Sequence, residues 1–301
     1  MLWMEPSGAC NLDCPDCPTA AGRGGGVMKL GDFTAVLDQA PHLKLLNLWH
    51  RGEPLLAPDL PEMIAEAARR GIRTQTYTNG ILLASGDLAD RLVEARLSRI
   101  TIGVDGADED TYRRFRRGGS LGEVEAGVRA LVAARRARRT KTPRIVVECL
   151  LSNQPPSQFA AVRETAFGWG CDEVRFKTFR VSDPEDLDRS LSSLPENRKL
   201  WRYRLDDGRL VMKRYRRSCL RLSYSAVVTW NGDVLPCCFD ATGRFTAGNV
   251  SRTPLREIWR GGLLGEFRAR INHGARDRIS MCRNCTEGLL RLYIPHRTVL
   301  R

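Results

Sequence analysis

The chain has 301 residues, of which 42% are hydrophobic and 28% are charged. This length allows one large domain, or a medium domain with a small one, and the hydrophobic content excludes wholesale disorder. No apolar run approaches the roughly 20 residues of a membrane-spanning helix, and the N-terminus lacks the basic-then-apolar pattern of a signal peptide. We therefore expect a soluble, cytoplasmic protein.

The formal net charge of +13 would suit a nucleic-acid-binding protein. The basic residues, however, are six Lys and 42 Arg scattered over the whole chain. We interpret the one dense run, Arg135–Lys141, as a solvated helix end rather than a patch for an anionic partner. Nucleic acid is therefore not an expected partner.

The first 180 residues alternate short apolar runs with segments that are apolar at helical spacing. The predicted strands are Leu2–Glu5, Leu43–Trp49, Arg73–Tyr77, Ser98–Val104, Arg144–Leu151 and Glu173–Thr178. The predicted helices are Gly31–Gln39, Leu60–Arg70, Asp87–Ala95, Leu121–Arg136 and Gln158–Trp169. Five strand–helix units and a sixth strand predict a parallel sheet with right-handed crossovers. Six strands cannot close an eight-stranded barrel, so residues 1–180 are predicted to form an α/β partial barrel with its chemistry at the C-terminal ends of the strands.

The remaining residues have a different pattern. Residues 181–215 are rich in Asp, Ser, Pro and Arg, which predicts a linker with at most one short helix. Leu222–Thr229 and Asp233–Cys238 flank an Asn-Gly dipeptide, which predicts a hairpin with a type I′ turn. A helix is predicted near Pro254–Arg270. Residues 216–301 are thus expected to form a small α+β domain.

The ten cysteines are clustered rather than evenly spread. In a reducing compartment, clustered thiols usually bind a metal or an iron–sulfur cluster rather than form disulfides. One group lies near the N-terminus and the other in the last third of the chain: Cys10, Cys14 and Cys17, then Cys219, Cys237, Cys238, Cys282 and Cys285. The isolated Cys149 and Cys171 are expected to be small buried apolar side chains.

The N-terminal group, Cys10, Cys14 and Cys17, forms a C-x3-C-x2-C run directly after the first predicted strand. Three thiolates on one loop can hold three irons of a [4Fe–4S] cube and leave the fourth iron open. A zinc site normally takes four protein ligands, and no fourth Cys or His lies nearby in the sequence. A zinc knuckle that uses a distant ligand is the alternative.

This loop resembles the defining motif of the radical S-adenosylmethionine (SAM) superfamily. The resemblance implies that SAM chelates the open iron and that its reductive cleavage yields a 5′-deoxyadenosyl radical, which abstracts a hydrogen atom from the substrate. It also implies an electron donor of the flavodoxin or ferredoxin type. The residue before the third Cys is commonly aromatic in the family. Here it is Asp16, so the adenine must pack against another group.

The end of the second predicted strand resembles a second family element. Gly52, Glu53 and Pro54 match the last three residues of the family's Gly-Gly-Glu-Pro segment, which binds the SAM ammonium group, and Arg51 replaces the first Gly. The resemblance implies that these three residues contact SAM. The neighbouring His50 is expected to support the site rather than to act as a base.

The next two strands also end in residues typical of the family. Strand three ends in Thr-Asn-Gly with Asn79 at its centre, and strand four ends in Gly103-Val104-Asp105-Gly106, where relatives often have Ser-x-Asp-Gly. Asn79 and Asp105 are therefore predicted SAM contacts, with simple turn formation as the alternative for Asp105.

On the sixth predicted strand, Arg175 and Lys177 alternate with Val174 and Phe176, which places both cations on one face. If that face is the barrel lumen, they would contact the SAM carboxylate or an anionic substrate. The alternative is a half-exposed strand at an open edge of the sheet.

The C-terminal cysteines resemble a short SPASM or twitch extension of radical SAM enzymes. The resemblance implies an auxiliary [4Fe–4S] cluster with four ligands: Cys219, Cys237, Cys282 and Cys285. Cys238 would point to the other face of its strand. A structural zinc ion at the four thiols is the alternative.

Together the motifs predict a radical SAM oxidoreductase that performs a two-electron oxidation with the auxiliary cluster as electron acceptor, as aminocyclitol dehydrogenases of this type do. One alternative is a maturase that cross-links or oxidises a peptide. The absence of an extra N-terminal segment for grasping a leader peptide slightly favours a small-molecule substrate.

Two alternatives belong to other classes of protein. A non-catalytic iron–sulfur electron carrier would need four ligands for each cluster and would not need Glu53 or Asp105. A zinc-bearing nucleic-acid-binding module is the last alternative.

Overall fold

One mixed sheet organises the protein. In the computed structural model the described residues are 1–15, 17, 25–181, 186–213, 219–283, 285, 293–294 and 299. Within them, the sheet has ten strands in the order β11-β10-β9-β1-β2-β3-β4-β5-β6-β12. The first six strands in chain order are β1 (Leu2–Met4), β2 (Leu45–Asn47), β3 (Arg73–Thr78), β4 (Arg99–Gly103), β5 (Arg144–Leu151) and β6 (Glu173–Thr178). Each pairs in parallel with the next, so the predicted open six-stranded α/β sheet is confirmed.

The helices that connect these strands are α1 (Leu30–Asp38), α2 (Leu60–Arg69), α3 (Leu88–Glu94), α4 (Glu109–Phe115), α5 (Leu121–Ala137) and α6 (Pro156–Trp169). The five predicted helices agree with α1, α2, α3, α5 and α6 within two residues at each end. Helix α4 was not predicted because it buries only Tyr112, which leaves no apolar period to detect. It begins after Asp108, whose side chain accepts a hydrogen bond from Thr111 N at 2.8 Å.

The two faces of the sheet carry different side chains, apolar on one face and charged on the other. Ile145, Val147 and Cys149 of β5, and Val174 and Phe176 of β6, pack into the main hydrophobic core with the helices. Side chains alternate along a strand, so Glu148, Arg175 and Lys177 lie on the opposite, lumen face. Cys149 and Cys171 are both buried in the core, as expected.

The segment predicted to be a linker is folded. It contains α7 (Leu187–Ser193) and the antiparallel pair β7 (Tyr203–Asp206) and β8 (Arg209–Met212). Asp207 and Gly208 connect these strands with φ values of +47° and +69°, which suit a type I′ turn. Most of the buried apolar residues of this segment, together with Phe179 just before it, form a cluster apart from the main core: Phe179, Val181, Leu194, Trp201, Tyr203, Leu210 and Met212. Leu200 packs into the main core. The hairpin is not predicted from the sequence because the segment is rich in polar residues, although its Asp-Gly dipeptide is itself a turn signal.

The C-terminal residues add four strands to the sheet. Their strands are β9 (Ala226–Val228), β10 (Asp233–Leu235), β11 (Gly248–Asn249) and β12 (Tyr293–Ile294). Strand β9 pairs in parallel with β1, and β12 pairs antiparallel with β6. The sheet therefore continues across the expected domain boundary near residue 215. Strand β12 covers part of β6, which is not an open edge at that point.

The turn of the C-terminal hairpin differs from the prediction. Strands β9 and β10 are antiparallel as expected, but of the Asn-Gly pair only Gly232 has a positive φ, +86°. Gly232 N donates to Thr229 O at 2.9 Å, and Thr229 N donates to Asp233 O at 2.9 Å. These bonds describe a type I turn followed by a glycine bulge rather than a type I′ turn.

The last helices are α8 (Leu255–Arg260), α9 (Gly262–Asn272) and α10 (Ser280–Arg283). The single helix predicted over 254–270 divides at Gly261, whose ψ of 168° is extended and ends the helical hydrogen-bond pattern. None of the described helices combines the length and apolar character needed to cross a membrane.

Candidate functional site

The loop after β1 carries Cys10, Cys14 and Cys17, all of them half-buried. The loop bends so that Cys17 N donates to Cys14 O at 3.1 Å. Asn79 Nδ2, at the end of β3, donates to Asn11 Oδ1 at 2.7 Å and ties the loop to the sheet. The three thiols therefore lie at the C-terminal ends of the strands, where the chemistry of such a sheet is expected.

The thiols of this loop are close enough to affect one another electrostatically. Burial raises the pKa of Cys10, and it raises the pKa of Cys14 to about 11, while Arg116 acts in the opposite direction on both. The protonated forms of Cys10 and Cys14 are thus favoured at neutral pH, and iron has to displace their protons when it binds. Three neighbouring thiols on one loop fit a cube with one iron left open.

The glycine of the Gly-Glu-Pro segment is required by a close approach of two chains. A Cβ at Gly52 would lie 2.2 Å from Ser7 O and 2.5 Å from Ala9 O, which only glycine avoids. Glu53 N donates to Ala9 O at 2.7 Å. The Gly-Glu-Pro segment is therefore held directly against the residues that precede Cys10.

Glu53 is 3% exposed, and its carboxylate joins two segments. Oε1 accepts hydrogen bonds from Leu55 N at 3.0 Å and Thr78 Oγ1 at 2.6 Å, and Oε2 accepts one from Asn79 N at 2.8 Å. A carboxylate has about four acceptor positions, so one position on Oε2 is left for a cationic group. Burial raises the pKa of Glu53, which the three donors oppose. A neighbouring ammonium group would stabilise the ionised form further.

Asp105 is held by protein groups on both oxygens. Oδ2 accepts from Arg116 Nε at 2.7 Å, and Oδ1 accepts from Leu150 N at 2.7 Å. A Cβ at Gly103 would lie 2.3 Å from Arg116 Nη2 and 2.9 Å from Tyr77 Oη. Glycine at this position, where relatives often have serine, therefore makes room for the Arg116 guanidinium. Arg116 was not predicted from the sequence because α4 itself was not.

The predicted cations of β6 are already paired. Lys177 Nζ lies 3.1 Å from Glu148 Oε1, and Arg175 forms an ion pair with Glu173 and stacks over the ring of Tyr293. Tyr293 Oη donates to Glu148 Oε2 at 3.1 Å. The lumen face therefore carries a polar group of acid, cation and phenol, of which the sequence indicated only the cations.

Arg51 connects the Gly-Glu-Pro segment to the C-terminal part of the chain. Its Nη1 donates to Ala241 O at 2.8 Å, and its backbone N donates to Glu5 Oε1 at 3.0 Å. Glu5 is fully buried and also accepts from Trp230 N at 3.3 Å. Arg51, which replaces the family's first glycine, therefore links the segment near the first cysteine group to Ala241 near the second.

Two other residues singled out in the sequence contribute less. Burial lowers the pKa of His50 to about 3, so its ring is neutral in the physiological range. A histidine with so low a pKa is a weak base, and the supporting role of His50 stays a prediction. Asp16, the departure from the family pattern before the third cysteine, lies outside the described residues.

The second cysteine group converges on one cavity. Its lining includes all four predicted ligands, Cys219, Cys237, Cys282 and Cys285. The other lining residues are Leu222, Phe239, Phe267, Arg276 and Met281. Cys238 is not among these residues, and its Sγ accepts from Arg221 Nη1 at 3.2 Å. The structure therefore brings the four thiols to one cavity, whose lining does not include the neighbouring Cys238.

Cys282 in this cavity favours the protonated thiol. Burial raises the pKa of Cys282 to about 12, with Cys285 acting in the same direction and Arg276 against it. Within the described part of the chain, no three His, Cys, Asp or Glu side chains converge on one metal ion. An iron–sulfur cube does not require such convergence, since each thiolate binds a different iron. Four thiols around one cavity, two of them buried and two half-buried, fit such a cube.

Two family models match the chain, and each covers one of the cysteine groups. Residues 4–147 match the radical SAM superfamily, and residues 219–286 match SPASM, an iron–sulfur cluster-binding domain. The second match is to an iron–sulfur domain, which favours a cluster over the zinc alternative at the C-terminal cysteines.

Curated relatives and solved structures agree with both matches. A PqqA peptide cyclase from Granulibacter bethesdensis is 32% identical over 145 residues, which are 47% of this chain and only 37% of that protein. The tungsten-containing aldehyde ferredoxin oxidoreductase cofactor-modifying protein of Pyrococcus furiosus is 26% identical over 86% of this chain and 80% of its own. The crystal structure of BtrN with AdoMet and 2-DOIA superimposes with a TM-score of 0.55 at 18% identity, over 95% of this chain and 92% of that chain.

The two family matches agree with the parallel partial barrel and with the two separate groups of cysteines. Their cofactors are SAM with a [4Fe–4S] cluster in the first domain and an auxiliary iron–sulfur cluster in the second. The chain therefore carries a radical SAM domain over residues 4–147 and a C-terminal SPASM domain over residues 219–286.

Proposed function

We propose that this enzyme is a dehydrogenase that oxidises an alcohol carbon of a small molecule to a carbonyl by two electrons, with the auxiliary cluster as electron acceptor. The cavity shared by Cys219, Cys237, Cys282 and Cys285 carries the proposal. Four thiolates give every iron of a cube a protein ligand and leave no open iron for substrate. Electron transfer is then the chemistry that remains for this cluster.

At the other site, Cys10, Cys14 and Cys17 would hold three irons, and Gly52, Glu53, Pro54, Asn79, Asp105, Arg175 and Lys177 are the proposed SAM-binding set. When bound there, SAM and its cluster supply a radical strong enough to abstract hydrogen from an unactivated carbon. Glu53 would accept the SAM ammonium on the free position of Oε2. Asp105 would act by holding Arg116, which influences Cys14, since one of its oxygens accepts from Arg116 Nε and the other from Leu150 N.

The lumen face would receive the substrate. Glu148 is 2% exposed, lies between Lys177 and Tyr293, and is the candidate acceptor for the proton that leaves the alcohol oxygen. In each turnover the substrate loses one hydrogen atom, one proton and one electron. The electron that the substrate loses equals the electron consumed in cleaving SAM.

This equality gives the test of the proposed function. The assay is anaerobic and uses aminocyclitols and other polyols that carry deuterium on the carbinol carbon, with reductant limited to less than one electron per enzyme. We expect deuterium in 5′-deoxyadenosine, a carbonyl product two hydrogens lighter, and several products per electron supplied. Product limited to one per electron would contradict return of the substrate electron from the auxiliary cluster to the SAM-binding cluster. Enzyme without the alcohol substrate is the control.

Substituting Glu53 by Gln is expected to weaken SAM binding about 10- to 100-fold. A charge-assisted hydrogen bond is worth about 1.5–3 kcal/mol, and each 1.4 kcal/mol is about tenfold in affinity. SAM affinity is measured by equilibrium dialysis on the reconstituted protein. Thr78→Val is the matched control, because it removes a hydrogen bond to the same carboxylate but keeps the charge. Equal losses in the two variants would show that loop order, and not the charge of Glu53, governs binding.

A second candidate function is maturation of a peptide by cross-linking or oxidation. It is favoured by the similarity to a PqqA peptide cyclase over 47% of this chain. Transfer of deuterium from a labelled peptide, and from none of the alcohols, would support it. In either case we propose a flavodoxin or ferredoxin as the electron donor and the cytoplasm as the compartment, since iron–sulfur assembly needs reduced thiols.

A further inference from the structure

The loop after β1, which carries the first three cysteines, closes at a base where its two ends run side by side. Gly8 N donates to Gly26 O at 2.9 Å, and Ser7 forms an antiparallel bridge with Val27. A Cβ at Gly25 would lie 2.2 Å from the carbonyl carbon of Gly8, an approach that only glycine allows. The base of the loop is therefore a direct contact between two stretches of backbone.

A tryptophan from the C-terminal part of the chain covers this base. Trp230 lies in the turn between β9 and β10, within the residues that match the SPASM domain. A Cβ at Gly8 would lie 2.4 Å from Cδ1 of Trp230, and a Cβ at Gly26 would lie 2.2 Å from its Cζ3. The five-membered ring thus lies against the end of the loop that precedes the cysteines, and the six-membered ring lies against the end that follows them. One residue of the SPASM domain therefore contacts both ends.

The backbone of Trp230 is tied to the Gly-Glu-Pro segment as well. Trp230 N donates to Glu5 Oε2 at 3.3 Å, and Oε1 of the same carboxylate accepts from Arg51 N at 3.0 Å. A Cβ at Gly52 would lie 2.6 Å from the carbonyl carbon of Gly8. Gly8 therefore lies against both Trp230 and the Gly-Glu-Pro segment.

We propose that Trp230 is a positioning residue for the SAM-binding cluster, because it clamps the base of the cysteine loop against the Gly-Glu-Pro segment. This inference rests on the proposed ligation of that cluster by Cys10, Cys14 and Cys17. Holding a loop in one conformation costs conformational entropy, and a rigid aromatic ring offers a large contact area with few torsions to order. SAM would bind the open iron of the loop and the carboxylate of Glu53 together. A shift of about 1 Å between the two would therefore weaken its binding.

This role is separate from ligation of the auxiliary cluster. Trp230 is not among the described residues that line the cavity of the second cysteine group. Its hairpin is held by the parallel pairing of β9 with β1, which does not involve those cysteines. The SPASM domain would thus support the first cluster through Trp230 and hold the second through its cysteines.

The first test compares Trp230→Ala with Trp259→Ala by hydrogen–deuterium exchange of the full-length protein, before and after cluster reconstitution. Trp259 is the matched control, because it is also half-buried, lies in the same SPASM match and packs against the same main core. The amides of Gly8 and Met28 donate across the base of the loop. We expect them to exchange at least about tenfold faster in Trp230→Ala and within about twofold of the wild type in Trp259→Ala.

The second test measures SAM affinity by equilibrium dialysis on the reconstituted proteins. Trp230→Ala is expected to weaken SAM binding at least about tenfold, with the auxiliary iron retained. Trp230→Phe keeps a rigid ring at the base of the loop and should recover part of that loss. Trp259→Ala should bind SAM as tightly as the wild type does.

Alanine substitutions at two glycines test the contact itself. Gly26→Ala should weaken SAM binding when Trp230 is present, because the new Cβ meets the indole ring, and should add little in the Trp230→Ala background. Gly25→Ala should weaken binding in both backgrounds, because its Cβ meets the backbone of Gly8.

The possible failures can be told apart. If replacing Cys10, Cys14 and Cys17 by Ala left SAM affinity unchanged, the ligation itself would be refuted, whatever Trp230 does. The inference is overturned if Trp230→Ala exchanges at the base of the loop within about twofold of the wild type, or if Trp259→Ala accelerates that exchange equally. An equal effect of Gly26→Ala with and without the indole ring would also overturn it. If Trp230→Ala binds no iron, exchange in the iron-free protein decides the outcome.

Discussion

Replacing Cys10, Cys14 and Cys17 together by Ala is expected to abolish SAM cleavage under anaerobic reduction while leaving the auxiliary cluster in place. The two cysteine groups lie on different segments, one in the loop after β1 and the other around a separate cavity. Loss of the first cluster therefore need not disturb the second. Iron analysis should fall from about eight to about four per chain, as two cubes of four irons require, and 5′-deoxyadenosine should become undetectable.

The isolated Cys171 provides the control for this experiment. It is buried in the main core, away from both groups, so Cys171→Ala should keep the wild-type iron content and SAM cleavage. A triple variant that still made 5′-deoxyadenosine, or a wild-type protein that bound zinc in place of iron, would refute the proposed SAM site.

Replacing Cys282 and Cys285 by Ala is expected to stop product formation while 5′-deoxyadenosine is still made slowly. Without its cluster the protein has no internal acceptor for the substrate electron. The fully buried apolar residues near the cavity are few, and they include Leu222, Phe267, Ile271 and Ile279. Such a small core depends on the cluster to stay folded. The segment from Phe267 to α10 should therefore become sensitive to protease. Strand β9 should stay protected by its pairing with β1, and α8 by its packing in the main core.

Cys238→Ala is the matched control for the double variant, since Cys238 adjoins Cys237 but does not line the cavity. It should keep about four auxiliary irons and wild-type product formation. Product formation at the wild-type rate in the double variant would show that the auxiliary site is structural. The electron-acceptor mechanism, and with it the proposed dehydrogenation, would then be abandoned.

The hydrogen bonds of Arg51 also fix the position of one cysteine region relative to the other. Arg51, on the Gly-Glu-Pro segment, reaches Ala241 O near the second group, and Glu5 binds both Arg51 N and Trp230 N. These contacts join the segments before Cys10 and after Cys237 without a bound ligand. Electron transfer between two clusters would benefit from such a fixed relation, because its rate depends on their separation.

The sequence by itself determined the parallel sheet, most of the helices and the two cysteine groups. Period-2 and period-3.6 patterns report which face of an element is apolar, and they placed five connecting helices within two residues. The Cys10, Cys14 and Cys17 motif is local, so its spacing is visible without a fold. The same holds for the side of β6 that carries Arg175 and Lys177, which follows from alternation alone.

Only the tertiary structure decided what those residues contact. Arg116 reaches Asp105 from α4, Tyr293 reaches Glu148 across 145 positions, and β9 pairs with β1 across more than 220 positions. Such contacts depend on the order of strands in the sheet, which periodicity does not report. The hairpin of β7 and β8 and the turn at Gly232 were misjudged because local composition competes with packing on neighbouring elements. The sequence thus determined which chemical groups this protein has, and the long-range pairing of its strands decided which of them share a site.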